Sequence, residues 1–266
     1  MNNVILKAGA QLAGTTARSL VQLIPGGNFI TLLGEISGTV LENFLADYSD
    51  RVLSTKEKEK VGAAFLHAAE KIKSRLDNNE RLRTDDYFFA NNENYRSSSE
   101  EALEGILIKS RFEHEDKKIK HLGYIYANAV FDNYSISEIN FYIKLAEQLT
   151  YRQICLLSLL FSKEENLSNE GRNYHSKEIA TVLQEINGLY QQGLVQMLIP
   201  DPEEEGFANG GVFKVTSEGN FHPISSWDEI IPNKIILTRL GRTIYSIMSL
   251  EEISGGEIYK LIQLLK

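Results

Sequence analysis

The sequence predicts a mainly α fold in three parts: an N-terminal apolar helical hairpin over 1–50, a helical bundle over 54–163, and a winged-helix-like α+β region over 164–266. Three observations carry that expectation. Proline is scarce, at 5 residues in 266, and helix formers dominate, so long helices are permitted. Serine–glutamate pairs at capping-box spacing recur ahead of apolar residues placed every third or fourth position. Short β-rich runs appear only in the last hundred or so residues.

The first fifty residues carry only six charged side chains, Lys7, Arg18, Glu35, Glu42, Asp47 and Asp50, and glycines at 9, 14, 26, 27, 34 and 38. Pro25-Gly26-Gly27-Asn28 is a turn signal, because proline fixes φ and glycine opens the left-handed region. Two helices, roughly 8–23 and 28–50, are expected on either side of it. Within them the run Ser19–Gly34 has sixteen residues and no charge.

From Ser54 the pattern changes. Ser54 and Glu57 form a capping box, and Val61, Phe65, Ala68, Ile72 and Leu76 then recur between Lys, Glu and Arg, as on an amphipathic surface helix. A polar, Asn-rich connection follows, with Tyr87, Phe88 and Phe89 expected to pin it down. A second box, read at Ser98 and Glu101, opens a helix with Leu103, Ile106 and Leu107. After "EHEDKK" the spacing resumes with Ile119, Leu122, Tyr126, Ala129 and Val130. A third box joins Ser135 to Glu138, and Thr150 is placed to cap "YRQICLLSLLFSK".

The last hundred residues predict a helix that breaks near Gly188 or Gly193 and runs into "LVQMLI". "GGVFKVT" and "NKIILT" are further short strands, and Thr238 caps a closing helix in "LTRLGRTIYSIMSL". That order is the order of a winged helix-turn-helix, with the acidic stretch "DPEEEGFANGG" as the wing.

Composition restricts the function classes. A formal net charge of −8 opposes non-specific nucleic-acid binding, which needs a cationic surface. The single cysteine, Cys155, lies in an apolar run and has no internal partner, as expected in a reducing cytoplasm. No secretory signal pattern is visible at the N-terminus. No G-x-S-x-G elbow, Walker loop or H-E-x-x-H is present, so an enzyme is the third-ranked reading, and no cofactor is expected.

One basic cluster stands out. Lys109, Arg111, Lys117, Lys118, Lys120 and His121 fall within thirteen residues and are the candidate surface for an anionic, nucleotide-type ligand. The plainer alternative is a solvated helix whose cations pair with Glu113, Glu115 and Asp116. His114 and His121, seven residues apart, superficially invite a metal, but metal pairs normally stand closer, and no metal site is assigned.

The stretch "SSEEALEGILIKSRFEHEDKKIKHLGYIYANAVFD", then "INFYIKLAEQLTYRQICLLSLL" and "LTRLGRTIYSIM", resembles the abortive-infection alpha-type family of bacterial phage-defence proteins. "HLGYIYANAVFD" is similar to the family's "L-x-x-L-x-A-N-A" phrase, with Tyr124 and Tyr126 inserted. "AEQLTYRQICLL" is similar to its next helix, with Thr150-Tyr151-Arg152 in place of a Pro-containing turn. The resemblance covers about 54 to 250, rests on structural motifs, and implies a glycine- and alanine-rich apolar segment ahead of the shared region.

The resemblance implies an antiphage context, and the apolar hairpin adds the expectation of a cytoplasmic or inner-membrane-associated effector that self-assembles as a homo-oligomer and perturbs the membrane or forms a channel through residues 1–50. Leu20, Leu23, Ile24, Phe29, Ile30, Leu32 and Leu33 are the residues expected at that assembly or membrane surface. A spanning helix needs about 20 apolar residues, and the Pro-Gly-Gly break divides this run, so a single ordinary span is not expected. The competing reading is a winged-helix adaptor or transcription regulator. From Lys177 to Tyr190 the expected recognition segment is mostly neutral or acidic, and the wing carries Glu203, Glu204 and Glu205. Purified protein should therefore show no salt-sensitive binding to duplex DNA, and duplex binding in the micromolar range at physiological salt would favour the regulator.

Overall fold

The computed structural model describes residues 54–84, 88–89, 97–162, 177–197, 213–215, 221–223 and 235–265. Among them the fold is mainly helical: eight α-helices, one 3-10 turn and four strands of three residues each. The expected hairpin over 1–50 and the acidic wing lie outside the described residues. Two compact units are present, one built from residues up to Tyr151 with Ile247–Ser249, the other from Arg152–Ser246 with Leu250–Lys266. The expected division after residue 163 falls instead after Tyr151.

The first unit contains α1 (Thr55–Asp77), α2 (Ser98–Phe112), α3 (Asp116–Ala129) and α4 (Ile136–Gln148). The boxes at Ser54/Glu57 and Ser135/Glu138 form as expected, each serine accepting the N3 amide and each glutamate accepting the serine amide. The box of α2 forms one residue earlier than expected, at Ser97 and Glu100. Both registers satisfy the pattern, and tertiary packing decides between them. With Ser97 as cap, Ser99 turns inward and its hydroxyl meets the Tyr126 hydroxyl at 2.8 Å.

α1 is not the surface helix that its spacing suggests. Every residue from Val61 to Leu66 is buried, so no face is left to solvent at that level. Small residues explain it. A methyl group added at Gly123 of α3 would collide with the Ala64 carbonyl, and its next neighbours would be the Ala64 carbonyl carbon and the Ala68 amide, each at 3.3 Å. The backbones of α1 and α3 therefore pass almost in contact, which only glycine at 123 permits. α3 itself is buried at nearly every position from Lys118 onward.

Arg83 closes the far end of α3. Its amide donates to Val130 O, and its guanidinium donates to Ala129 O, Tyr134 O and Asn133 Oδ1. A cation at a helix C-terminus also suits the helix dipole. The same guanidinium lies 4.3 Å from the ring centroid of Phe88, which is buried, as expected of a residue that pins the connection.

The second unit contains α5 (Tyr151–Ser162, from Arg152 onward), α6 (Lys177–Gln191), β1 (Val195–Met197), β2 (Phe213–Val215), β3 (Phe221–Pro223), β4 (Ile235–Leu237), α7 (Arg239–Ile247) and α8 (Gly255–Leu265). Arg152 of α5 holds Glu185 of α6 through two hydrogen bonds, and Ser158 donates to Leu250 O, which accounts for the placement of α5 in this unit. α6 buries Ile179, Val182, Leu183, Ile186 and Leu189 as one stripe and stops at Gly193, whose φ is 71°. β1 pairs antiparallel with β4, Val195 opposite Leu237, and β2 pairs with β3 as a separate hairpin. Thr238 caps α7 through the Gly241 amide at 3.0 Å, as expected, and donates its own hydroxyl to Gly193 O. α8, which packs on α6, has no counterpart in the expected pattern.

Gly123→Ala should destabilise the first unit by about 1–3 kcal/mol, since neither backbone can retreat. Gly105→Ala, whose new methyl would meet only Ile143 Cδ1 at 3.4 Å, should be neutral or slightly stabilising. Chemical denaturation of the two variants checks the difference.

Candidate functional site

The six candidate cations do not converge on one surface. Lys109 of α2 pairs with Glu147 of α4 at 2.7 Å, and Arg111 pairs with Glu57 of α1 at 2.8 Å. Lys117 lies 5.4 Å from the Tyr151 ring centroid, and Lys120 lies 5.2 Å from that of Tyr124. Lys118, expected at the surface, is instead 2 % exposed; it forms a 2.7 Å ion pair with Glu113 and donates to Glu147 O at 2.8 Å. His121 is buried as well, with Nδ1 donating to Met248 O at 2.9 Å. Partners from several elements thus divide the cluster; of the acids expected to pair with it only Glu113 does so, through Lys118, while Glu147 and Glu57 take Lys109 and Arg111.

The connection between α2 and α3 is tightly organised. Glu113 accepts the amides of His114 and Glu115, at 2.8 and 2.9 Å, besides pairing with Lys118. Burial pushes its carboxyl up, but Lys118 and the two amides outweigh this and hold it below its ordinary value. Glu115 in turn accepts the Tyr151 amide at 2.8 Å, at the first turn of α5. Glu57 is held lower still, at about 2, by the Ser54 amide, then Arg111 and the Ser54 hydroxyl.

Glu113, His114 and Glu115 bring potential metal-ligating atoms within 4.8 Å of one another. Glu113 already accepts two amides of the turn and pairs with Lys118, Glu115 accepts the Tyr151 amide, and His114 is 89 % exposed on the connection rather than sharing a helix face with His121. The set fits a structural turn better than an ion site.

Sequence reading missed a polar seam inside the first unit. Asn128 donates to Ile247 O at 2.8 Å and to Ser249 Oγ at 2.9 Å, and it accepts from Arg75 at 2.9 Å. With His121 one heptad earlier, α3 thereby holds two successive carbonyls of the 247–249 segment, where Ser249 adopts φ 48°. The "HLGYIYANA" phrase contains His121, Gly123, Tyr126 and Asn128, so its individual residues now have physical roles. The burial of Tyr126 pushes its hydroxyl up to about 12, and it acts as a neutral hydrogen-bonding group.

Leu20, Leu23, Ile24, Phe29, Ile30, Leu32 and Leu33 lie outside the described residues. Among the described residues, no helix is long and apolar enough to cross a membrane. Comparison with protein-family models, curated proteins and solved structures finds no match for the chain.

Lys118→Glu should unfold the first unit, because two buried carboxylates would then face each other and breaking such a pair costs about 3–5 kcal/mol. Lys117→Glu, at an exposed position, should leave helicity intact by circular dichroism. The depressed titration of Glu113 stabilises the fold fully above its ordinary value of 4.5 and is lost as pH falls toward the lower folded value. Acid titration of a folded Glu113 variant should show a correspondingly flatter acid limb.

Proposed function

We propose that this protein is an antiphage, abortive-infection effector that self-assembles and perturbs the inner membrane through residues 1–50, with the folded part from Ser54 as its regulatory body. The observation that carries the reading is the uncharged run Ser19–Gly34 in an otherwise acidic chain. It is joined by the family resemblance, whose phrases fall at structural joints: Gly123 and Asn128 in one, Thr238 and Gly241 in the other. No described helix is long and apolar enough to cross a bilayer, and this reading assigns insertion to the N-terminal segment.

The second unit is read here as winged-helix-like, α6 preceding β1, and β4 leading into α7. The exposed residues of α6 include Lys177, Glu178, Ala180, Thr181, Gln184 and Gln191, a surface with a single cation. That supports a protein-contact role over duplex reading. An adaptor acting through this unit is the competing function. The 109–121 cluster is not assigned as a signal site, since its ion pairs give it a structural role.

The test is dye release from anionic lipid vesicles by the full chain. Release is expected from the wild type and should fall in Leu32→Glu, because a charge at a helix centre costs about 2.5–3.5 kcal/mol on insertion. A 54–266 fragment should stay helical and release nothing. No release by the wild type, or equal release by Leu32→Glu, would overturn the membrane reading.

A further inference from the structure

The only charged side chains of α7 are cations. Every described helix except α5 and α7 contains Asp or Glu, and the single arginine of α5 is held by Glu185. α7 has Arg239 and Arg242 and no carboxylate. Its buried side is Gly241, Ile244 and Ile247, while Arg239, Arg242 and Ser246 are exposed on the other. Three residues of helix set the two backbone positions about 4.5 Å apart along the axis, a spacing at which side chains are neighbours on the helix surface. Arg75, Arg83, Arg111 and Arg152 all have acceptors, whereas among the described residues Arg81, Arg239 and Arg242 have none, and of these only Arg239 and Arg242 share a helix.

Next along the helix, Tyr245 stacks on Phe161 of α5, with centroids 3.8 Å apart and planes inclined by 14°. Phe161 is 45 % exposed, so part of the stack faces solvent, and its Tyr245 member follows Arg242 by three residues on the same helix. Burial, then the charge of Glu251, raises the Tyr245 hydroxyl, so a negative group bounds the patch on one side.

We propose that this face, Arg239 and Arg242 with the Phe161–Tyr245 stack, binds single-stranded nucleic acid. The guanidiniums take a backbone phosphate, for which their planar forks are suited, and the ring pair takes a neighbouring unpaired base. A duplex offers no free base face, and α7 carries no Asn or Gln to read base edges, so binding is tolerant of sequence. The inference does not depend on the membrane segment, and its failure would leave dye release untouched.

The experiment is fluorescence anisotropy of a labelled oligo-dT strand with the full chain, from low salt upward. The wild type should bind the strand and bind a duplex of the same length much more weakly. Arg239→Gln with Arg242→Gln should weaken binding at least about tenfold and reduce the log–log salt slope by roughly 1. Phe161→Ala should weaken binding with the slope unchanged, and Glu251→Gln should tighten it. Circular dichroism confirms that each variant keeps its helices. No binding at low salt, undiminished binding in the double glutamine variant, or equal affinity for the duplex would overturn the proposal.

Discussion

The near-contact of two helix backbones at Gly123 and Ala64 sets the terms for the rest of the first unit. Once α1 lies that close, α3 has other elements around it and becomes the central helix, buried almost throughout. A buried helix cannot leave a polar side chain without a partner, since an unmatched polar group costs about 1–3 kcal/mol. The buried Lys118, His121 and Asn128 of α3 accordingly reach outward to other elements. Lys118 takes Glu113 and Glu147 O, His121 takes Met248 O, and Asn128 takes Ile247 O, Ser249 and Arg75. The polar seam follows from the steric one.

Local features of this fold were legible in the sequence because their causes are local. The capping boxes at Ser54 and Ser135, the apolar positions of α3, the stop at Gly193, though not at Gly188, the other glycine expected to break the helix, and the Thr238 cap each depend on a few neighbouring residues. What was misread depends on distant ones. Ser97 and Ser98 are equivalent as caps until Tyr126 selects the register that brings Ser99 inward. α1 reads as a one-sided helix because Gly62, Ala63 and Ala64 add little hydrophobicity, yet their smallness is what admits α3. α8, which opens on Gly255 and Gly256, two poor helix formers, was not expected.

The candidate site was less legible than the fold, for a related reason. A run of lysines reads as solvated or as anion-binding according to where its partners lie, and those of Lys109, Arg111 and Lys118 come from α4, α1 and the 113–115 connection. Spacing along one helix carries no information about them. Arg239 and Arg242 attract less notice in the sequence, being only two charges in a neutral phrase, and they gain significance from the burial of the other side of α7 and the ring beside them.

The grip of α3 on the 247–249 segment bears on the order in which the chain can fold as it is synthesised. His121 and Met248 are 127 positions apart, and Asn128 and Ile247 are 119 apart. A nascent chain that has released only the first four helices would have to bury two polar side chains whose acceptors are still unmade. The first unit can complete its hydrogen bonding only after nearly all of the second has been translated, so folding from the N-terminus proceeds to a waiting state rather than to a finished domain. The same interleaving means that cutting the chain after Tyr151 would not yield an autonomous unit, because three residues of its interior are encoded close to the end of the chain.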